Sequence, residues 1–316
     1  MSNQMNGSPS GAIKVTMTDN AHSKTKVSDT IFHVVNAIIM IMICVVTLYP
    51  VLNTLAISFN DGVDAVRGGV HLIPRMFTWT NYSTVLNQKN ITHGALISVI
   101  RTLVGTLLAL AANALLAFVV AQKKFVFRSQ LSLFWVITMY VNGGMIPILL
   151  LYQKLKLTNS FWVYVIPAMV GGFNMLVLRT YMEGLPDSLQ EAAEIDGAGF
   201  MTIFVKVISP LCKPVYATIA LFVAVGQWNS WFDTMLYNRM ATEYTTLQYE
   251  LMKLLSSVTS LKGSTGATTA PGQGVNITPV SVRSAATILT MAPIVMLYPF
   301  LQRYFVTGLT IGGVKE

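Results

Sequence analysis

The chain has 316 residues, of which 53% are apolar and only 11% charged, whereas an ordinary soluble domain carries about a quarter charged residues. This composition excludes a soluble enzyme, a disordered chain and a fibrous repeat, and it points to a multi-pass membrane protein. The net charge of +8 does not indicate nucleic acid, because the basic residues sit between apolar runs, where they face anionic lipid headgroups.

Residues 1–29 are polar, with Gly7, Ser8, Pro9 and Ser10 close together, and read as a disordered N-terminus. Six apolar windows free of Asp, Glu, Lys and Arg follow, at 30–60, 102–122, 129–153, 157–178, 214–232 and 284–302. About 20 helical residues cross the roughly 30 Å hydrocarbon core, so each window is long enough to span. The first has no small-residue cleavage pattern behind it and reads as a retained helix, not a signal peptide. A seventh charge-free stretch, 263–282, is rich in Gly, Thr and Pro and reads as a polar loop. Cys44 and Cys212 are too few for a disulfide framework and lack metal-ligand spacing.

The spans leave long loops at 60–94 and 233–283, a loop at about 183–213 and a tail from 309 to 316. Basic residues divide almost evenly between the two sides. The link 122–130 carries Lys123, Lys124 and Arg128 with no acid and favours an inside N-terminus. Lys154 and Lys156, in the opposite loop, argue the other way. Arg101, near the outer end of the second window, reads as a side chain snorkelling to headgroups.

The loop between the fourth and fifth windows carries the most local information. Ser188 and Glu191 have capping-box spacing, Asp187 suits a helix N-terminus, and Asp196-Gly197 is a stop signal. A short helix is expected over about 189–195, with Leu189, Ala192, Ala193 and Asp196 on one face and Gln190, Glu191 and Glu194 on the other. A second, apolar helix starts near Ala198, and Pro210 and Pro214 break or bend it. On residues alone this pair reads either as an amphipathic connector on the membrane surface or as an elbow that receives another protein.

The order of residues resembles the cytoplasmic EAA loop of bacterial ABC importer permeases. It stands here as Glu191-Ala192-Ala193, then Gly197, then Ile208-Ser209-Pro210. The extended form EAAEIDGAG is similar to the carbohydrate-uptake branch, as are IPRMFTWTNY at 73–82, NGGMIP at 142–147, QWNSWFD at 227–233 and the ending YFVTGLTIGGVKE. The likeness runs from about residue 30 to the C-terminus and most resembles the complex oligosaccharide or polysaccharide subgroup. Glu316 stands where a glycine often closes the chain.

The resemblance implies an all-α integral membrane fold with six transmembrane helices, the type I ABC importer permease fold with a cytoplasmic coupling-helix elbow. Both termini are then cytoplasmic, in the bacterial plasma membrane. It implies that Glu191, Ala192, Ala193, Glu194, Asp196, Gly197 and Pro210 belong to the ATPase-coupling loop, and that Gly312, Gly313, Val314 and Lys315 reach the ATPase interface. The implied partners are a second permease subunit, an ABC ATPase dimer that binds ATP and Mg, and an extracytoplasmic solute-binding protein that delivers carbohydrate. The chain has no G-x-x-x-x-G-K-[ST] phosphate loop of its own, and no metal, cofactor or nucleic acid is expected on it.

Polar residues inside apolar spans are costly and often face a cavity or a partner helix. Asn113, Asn142, Asn174, Gln227 and Asn229 qualify as lining a substrate pathway, and Trp228 and Trp231 as stacking on a sugar ring. The same residues also suit helix–helix hydrogen bonding and interfacial anchoring. Another solute class remains open as cargo. A secondary transporter calls for buried carboxylates or a repeated half, and the six windows hold no carboxylate. A membrane enzyme calls for clustered His, Asp or Glu; His22, His33, His71 and His93 are scattered.

Overall fold

The computed structural model describes residues 27–261 and 277–310. Of the stretch 1–29 expected to be disordered, residues 1–26 lie outside the described residues, whereas 27–29 are the first turn of a helix that begins at Val27. Gly312, Gly313, Val314 and Lys315 of the tail also lie outside the described residues, as do 262–276 of the long loop. The chain divides between Pro50 and Val51 into two compact units. Regular structure among the described residues is helical, apart from one isolated bridge between Asn60 and Phe77.

The main helices are α1 (Val27–Ser58), α2 (Lys89–Ala121), α3 (Arg128–Tyr140), α4 (Met145–Lys154), α5 (Gly172–Glu183), α6 (Asp187–Ile195), α7 (Phe200–Leu211), α8 (Lys213–Asn229), α9 (Leu247–Leu261) and α10 (Pro279–Thr310). The first unit is the N-terminal part of α1, apolar on all sides, as a helix meeting lipid or other helices must be. In the second unit, α2 is central and packs against α5, α8 and α9, while α10 packs against α8 and α9. Small residues on α2 let its neighbours approach closely. A Cβ on Gly94 would lie 3.1 Å from the backbone nitrogen of Leu247, and Ser98 Oγ accepts a hydrogen bond from that same nitrogen.

Three of the described helices are long and apolar enough to cross a membrane, and five spans result if each of two bent pairs is one. Windows 30–60, 102–122 and 284–302 fall in α1, α2 and α10. Window 129–153 is broken: α3 and α4 meet at 115°. Asn142 Oδ1 accepts from Gly144 N (2.9 Å) and Gly144 sits at φ +85°, a conformation that glycine adopts without a side-chain clash. Window 214–232 becomes α8, only 17 residues long and bent 81° from α7.

Window 157–178 departs furthest from the expectation of one continuous helix. It holds a 3₁₀ turn at Phe161–Tyr164, then irregular backbone, and α5 begins only at Gly172. Pro167 lacks a backbone donor and Gly171 is extended, so the helix does not propagate. The stretch is apolar because it fills the protein core: Val163, Tyr164 and Val165 are all buried, in a cluster with Ile97 of α2.

Candidate functional site

Helices α6 and α7 form a pair joined by 196–199. Their turn follows from Asp196-Gly197. Gly197 takes φ +76°, its N–H donates to Glu194 O (3.0 Å), and Ala198 N–H donates to Ala193 O (2.9 Å). These two bonds satisfy the carbonyls that a helix end leaves open. The start differs from the capping-box expectation. The helix begins at Asp187 after Pro186, and no side-chain cap bond forms there; Leu189 N–H bonds to Pro186 O instead. Asp187 then lies in the first turn, where its charge suits the helix dipole.

The second helix widens to a π turn at Phe204–Ile208, where Ser209 N–H reaches back to Phe204 O. Pro210 causes this. It has no N–H to give to the carbonyl four residues earlier, and its ring crowds that carbonyl. The bend then falls at Cys212, which is buried. Below the pair, Ile203, Ile208 and Cys212 share a core with Ala117 and Phe118 of α2, Met175, Leu178 and Met182 of α5, and Val215 and Ile219 of α8. The Phe118 and Phe204 rings pack with centroids 5.0 Å apart. The pair is therefore rooted in the helix bundle.

The faces of α6 are rotated from the expected arrangement. Gln190, Ala193 and Glu194 turn inward, while Leu189, Glu191, Ala192, Ile195 and Asp196 are exposed. The inward polar residues find partners on the link after α2. Gln190 Nε2 donates to Gln122 Oε1 (2.6 Å), Lys124 Nζ to Glu194 Oε2 (2.7 Å), and Lys123 pairs with Asp187. Hydrogen bonds from Lys124 and then Gln190 hold the Glu194 carboxyl below its ordinary pKa. Outward, Ile195 is 86% exposed, and Phe200 and Met201 continue the apolar ridge at 57% and 63%. Ala192, Asp196 and Gly197 are exposed as well, Glu191 is exposed and lines the cavity shared with the 122–124 link, and Ala193 packs on the core. Pro210 lies at the bend, away from the ridge.

A second polar cluster is buried. Arg101 does not snorkel: it is 2% exposed. Its guanidinium grips Asp233 with both nitrogens (Nη2–Oδ2 2.5 Å, Nη1–Oδ1 3.2 Å), donates from Nε to Gln227 Oε1 (2.9 Å), and lies 4.2 Å from the Tyr164 ring centroid. Gln227 Nε2 in turn donates to Tyr164 O (3.0 Å). A two-pronged Arg–carboxylate pair is strong and directional, and it relieves the cost that a lone buried guanidinium carries. The cluster ties α2, α8, the 161–164 turn and the short helix Phe232–Tyr237 together, beside an open cavity of about 380 Å³.

The expected pathway residues do not converge. Gln227 alone of the seven lines that cavity. Asn113 is fully buried; it donates to Ala109 O and Met169 O and accepts from Gly171 N, and Asn174 packs beside the same glycine. Trp228 is buried and donates to Thr290 O (2.9 Å), tying α8 to α10. Asn229 is exposed and accepts from Gln248. Trp231 is half-buried, edge-on to Phe232. Asn142 shapes the α3–α4 bend. Sequence reasoning missed Arg101 and Asp233 as partners. The available signal was one arginine inside an otherwise apolar helix and one aspartate closing the QWNSWFD stretch.

Comparison with known proteins matches this architecture to one family. The family model described as "Binding-protein-dependent transport system inner membrane component" matches residues 109–311. The protein LplC of Bacillus subtilis is 31% identical over 90% of this chain and 95% of its own length. The polygalacturonan/rhamnogalacturonan transport system permease protein YtcP of Bacillus subtilis is 29% identical over 87% of this chain and 95% of its own. A crystal structure of a bacterial ABC transporter involved in the import of the acidic polysaccharide alginate contains a chain 28% identical to this one. It superposes with a TM-score of 0.80, covering 89% of this chain and 98% of the other. The chain belongs to the family of inner-membrane components of binding-protein-dependent transport systems, the permeases of ABC importers.

Proposed function

We propose that this chain forms one half of the translocation pathway of an ATP-driven oligosaccharide importer and passes ATPase motion to that pathway through α6 and α7. The observation that carries this reading is the apolar ridge of Ile195, Phe200 and Met201, exposed on a helix pair rooted in the core. Exposed apolar surface of this kind marks a protein contact, and a rooted pair transmits rigid-body motion where a loose loop absorbs it. The ridge with Glu191, Ala192, Asp196 and Gly197 docks on one subunit of an ATPase dimer, where ATP and Mg bind. Glu194 holds α6 from behind, and Pro210 sets the angle at which α7 enters α8. Gly312, Gly313, Val314 and Lys315 reach the same ATPase.

In this reading the elbow and both termini are cytoplasmic, and the fold has six spans. The fourth is the broken stretch through the 161–164 turn and α5, and the third is the α3–α4 pair. The loops 60–94 and 233–283, whose ends 89–94 and 279–283 belong to α2 and α10, face outward, toward a solute-binding protein. A second permease subunit completes the pathway, and ATP-driven closure of the elbows switches it between inward- and outward-facing states. The names of the relatives support a carbohydrate cargo in oligomeric form, with uronate-containing glycans first to be screened. Asn113, Asn142, Asn174, Gln227, Trp228, Asn229 and Trp231 are the residues to vary for cargo preference.

Co-purification from native membranes in mild detergent, followed by mass spectrometry, tests the assembly. Recovery of a second permease and an ATPase is expected. A chain that purifies alone under conditions that preserve other membrane complexes contradicts the reading.

A further inference from the structure

We infer that Gln122, Lys123 and Lys124 are positioning residues: a three-rung brace that fixes α6 to the end of α2, so that movement of the elbow reaches the central helix. The inference rests on the ATPase-docking reading of α6 and α7. Three consecutive link residues each meet one residue of α6, and those partners, Asp187, Gln190 and Glu194, follow the i, i+3, i+7 spacing of a single helix face. Charge is sorted to match. The link carries Lys123, Lys124 and Arg128 without an acid, while α6 carries Asp187, Glu191 and Glu194 without a base.

The brace bridges space that packing does not fill. Both sides line one open cavity of about 440 Å³, so side-chain bonds, not apolar contact, set this distance. Helix α6 also enters and leaves through glycine-bearing connectors, Gly184 before it and Gly197 and Gly199 after it. Held only there and through Ala193 on the core, it would be free to pivot under load from the ridge side. The three rungs sit about 100° around the helix from Ile195 and resist that pivot. Their receiving end continues directly into α2, which packs on α5, α8 and α9. The two ion pairs are largely exposed, Lys123 and Lys124 at 71% each, so they add little to folding. Their contribution is to geometry.

The test uses the complete importer, with partner permease, ATPase and binding protein, reconstituted in proteoliposomes. For K123A/K124A, assembly and ATP hydrolysis are expected to persist while sugar imported per ATP falls about fivefold or more, the low end of typical coupling between sites. K124E alone is expected to uncouple likewise, and the exchange K124E/E194K to restore the ratio to within about twofold of the parent, since a pair interaction is recovered only when both partners change. An unchanged ratio in K123A/K124A, or an exchange that fails to restore it, overturns the brace. Ile195→Asp separates the two levels. If it releases the ATPase while K123A/K124A stays coupled, the brace alone is wrong. If it leaves the ATPase bound and active in transport, the docking reading fails and the brace with it.

Discussion

Arg101 and Asp233 lie 132 residues apart in the chain and meet as a two-pronged ion pair, Nη2 to Oδ2 at 2.5 Å and Nη1 to Oδ1 at 3.2 Å. The arginine side chain is 3% exposed and the aspartate 20%. Removing Asp233 strands the buried guanidinium, whereas removing Arg101 leaves a carboxylate that still borders the open cavity. We expect Asp233→Ala to destabilise the protein by about 3–5 kcal/mol and Arg101→Ala by less, read as drops in the unfolding temperature of the purified complex. Replacing both together costs less than the sum of the single changes. Additive losses would show that the two do not act as a pair.

Gly105 keeps the same cluster in place from beneath. A Cβ there would lie 2.8 Å from Gln227 Nε2 and 3.0 Å from its Cδ. Gly105→Ala is expected to push Gln227 off both Arg101 and Tyr164 O, costing about 1–3 kcal/mol for the buried groups left unpaired. In a Gln227→Ala background the added methyl should cost almost nothing. An equal loss in both backgrounds, by thermal unfolding, would place the cost elsewhere.

The visible part of this architecture in the sequence was the part written locally. Helix α2 was legible from its charge-free run, yet the window began at 102 whereas the helix starts at Lys89. Arg101 closed the window because the residue that neutralises it, Asp233, is far along the chain. Window 157–178 is not the one continuous helix expected, for the opposite reason. Apolar content cannot distinguish a stretch that meets lipid from one that fills a core, and Tyr164, 1% exposed, belongs to the core. At α6, Asp196-Gly197 ended the helix as read, since a left-handed glycine is a local property. The helix orientation was not readable, because Gln190 and Glu194 turn toward Gln122 and Lys124, which no periodicity within α6 reveals.

Gly197 is the joint between the two helices of the pair. Its φ of +76° costs an L residue about 1–2 kcal/mol. No atom lies within 4 Å of a Cβ built there, so the penalty is conformational, not steric. Gly197→Val is expected to lower sugar uptake by distorting the turn, and Gly197→Asn to be tolerated better, since asparagine enters this region more readily. Equal uptake for the two variants at matched expression would remove the left-handed turn as the reason for glycine here.

The exposed ridge makes a separate prediction about assembly. Ile195→Asp and Phe200→Asp place charge on side chains that are 86% and 57% exposed. We expect neither to alter the unfolding temperature of the isolated permease pair by more than a surface substitution does, about 0.5 kcal/mol in stability. Both are expected to weaken ATPase retention on a column. Loss of permease stability with the ATPase still bound would mean that the ridge serves the fold and not a partner.

The central claim is that this permease moves carbohydrate only when an attached ATPase drives it. The most direct measurement is uptake of labelled oligosaccharide into proteoliposomes holding this chain, its partner permease and the ATPase, with binding protein outside and ATP on the ATPase side. The account predicts accumulation that requires ATP hydrolysis and every subunit, and that stops when ATP is replaced by a non-hydrolysable analogue. Uptake by this chain alone, without ATP, would contradict it.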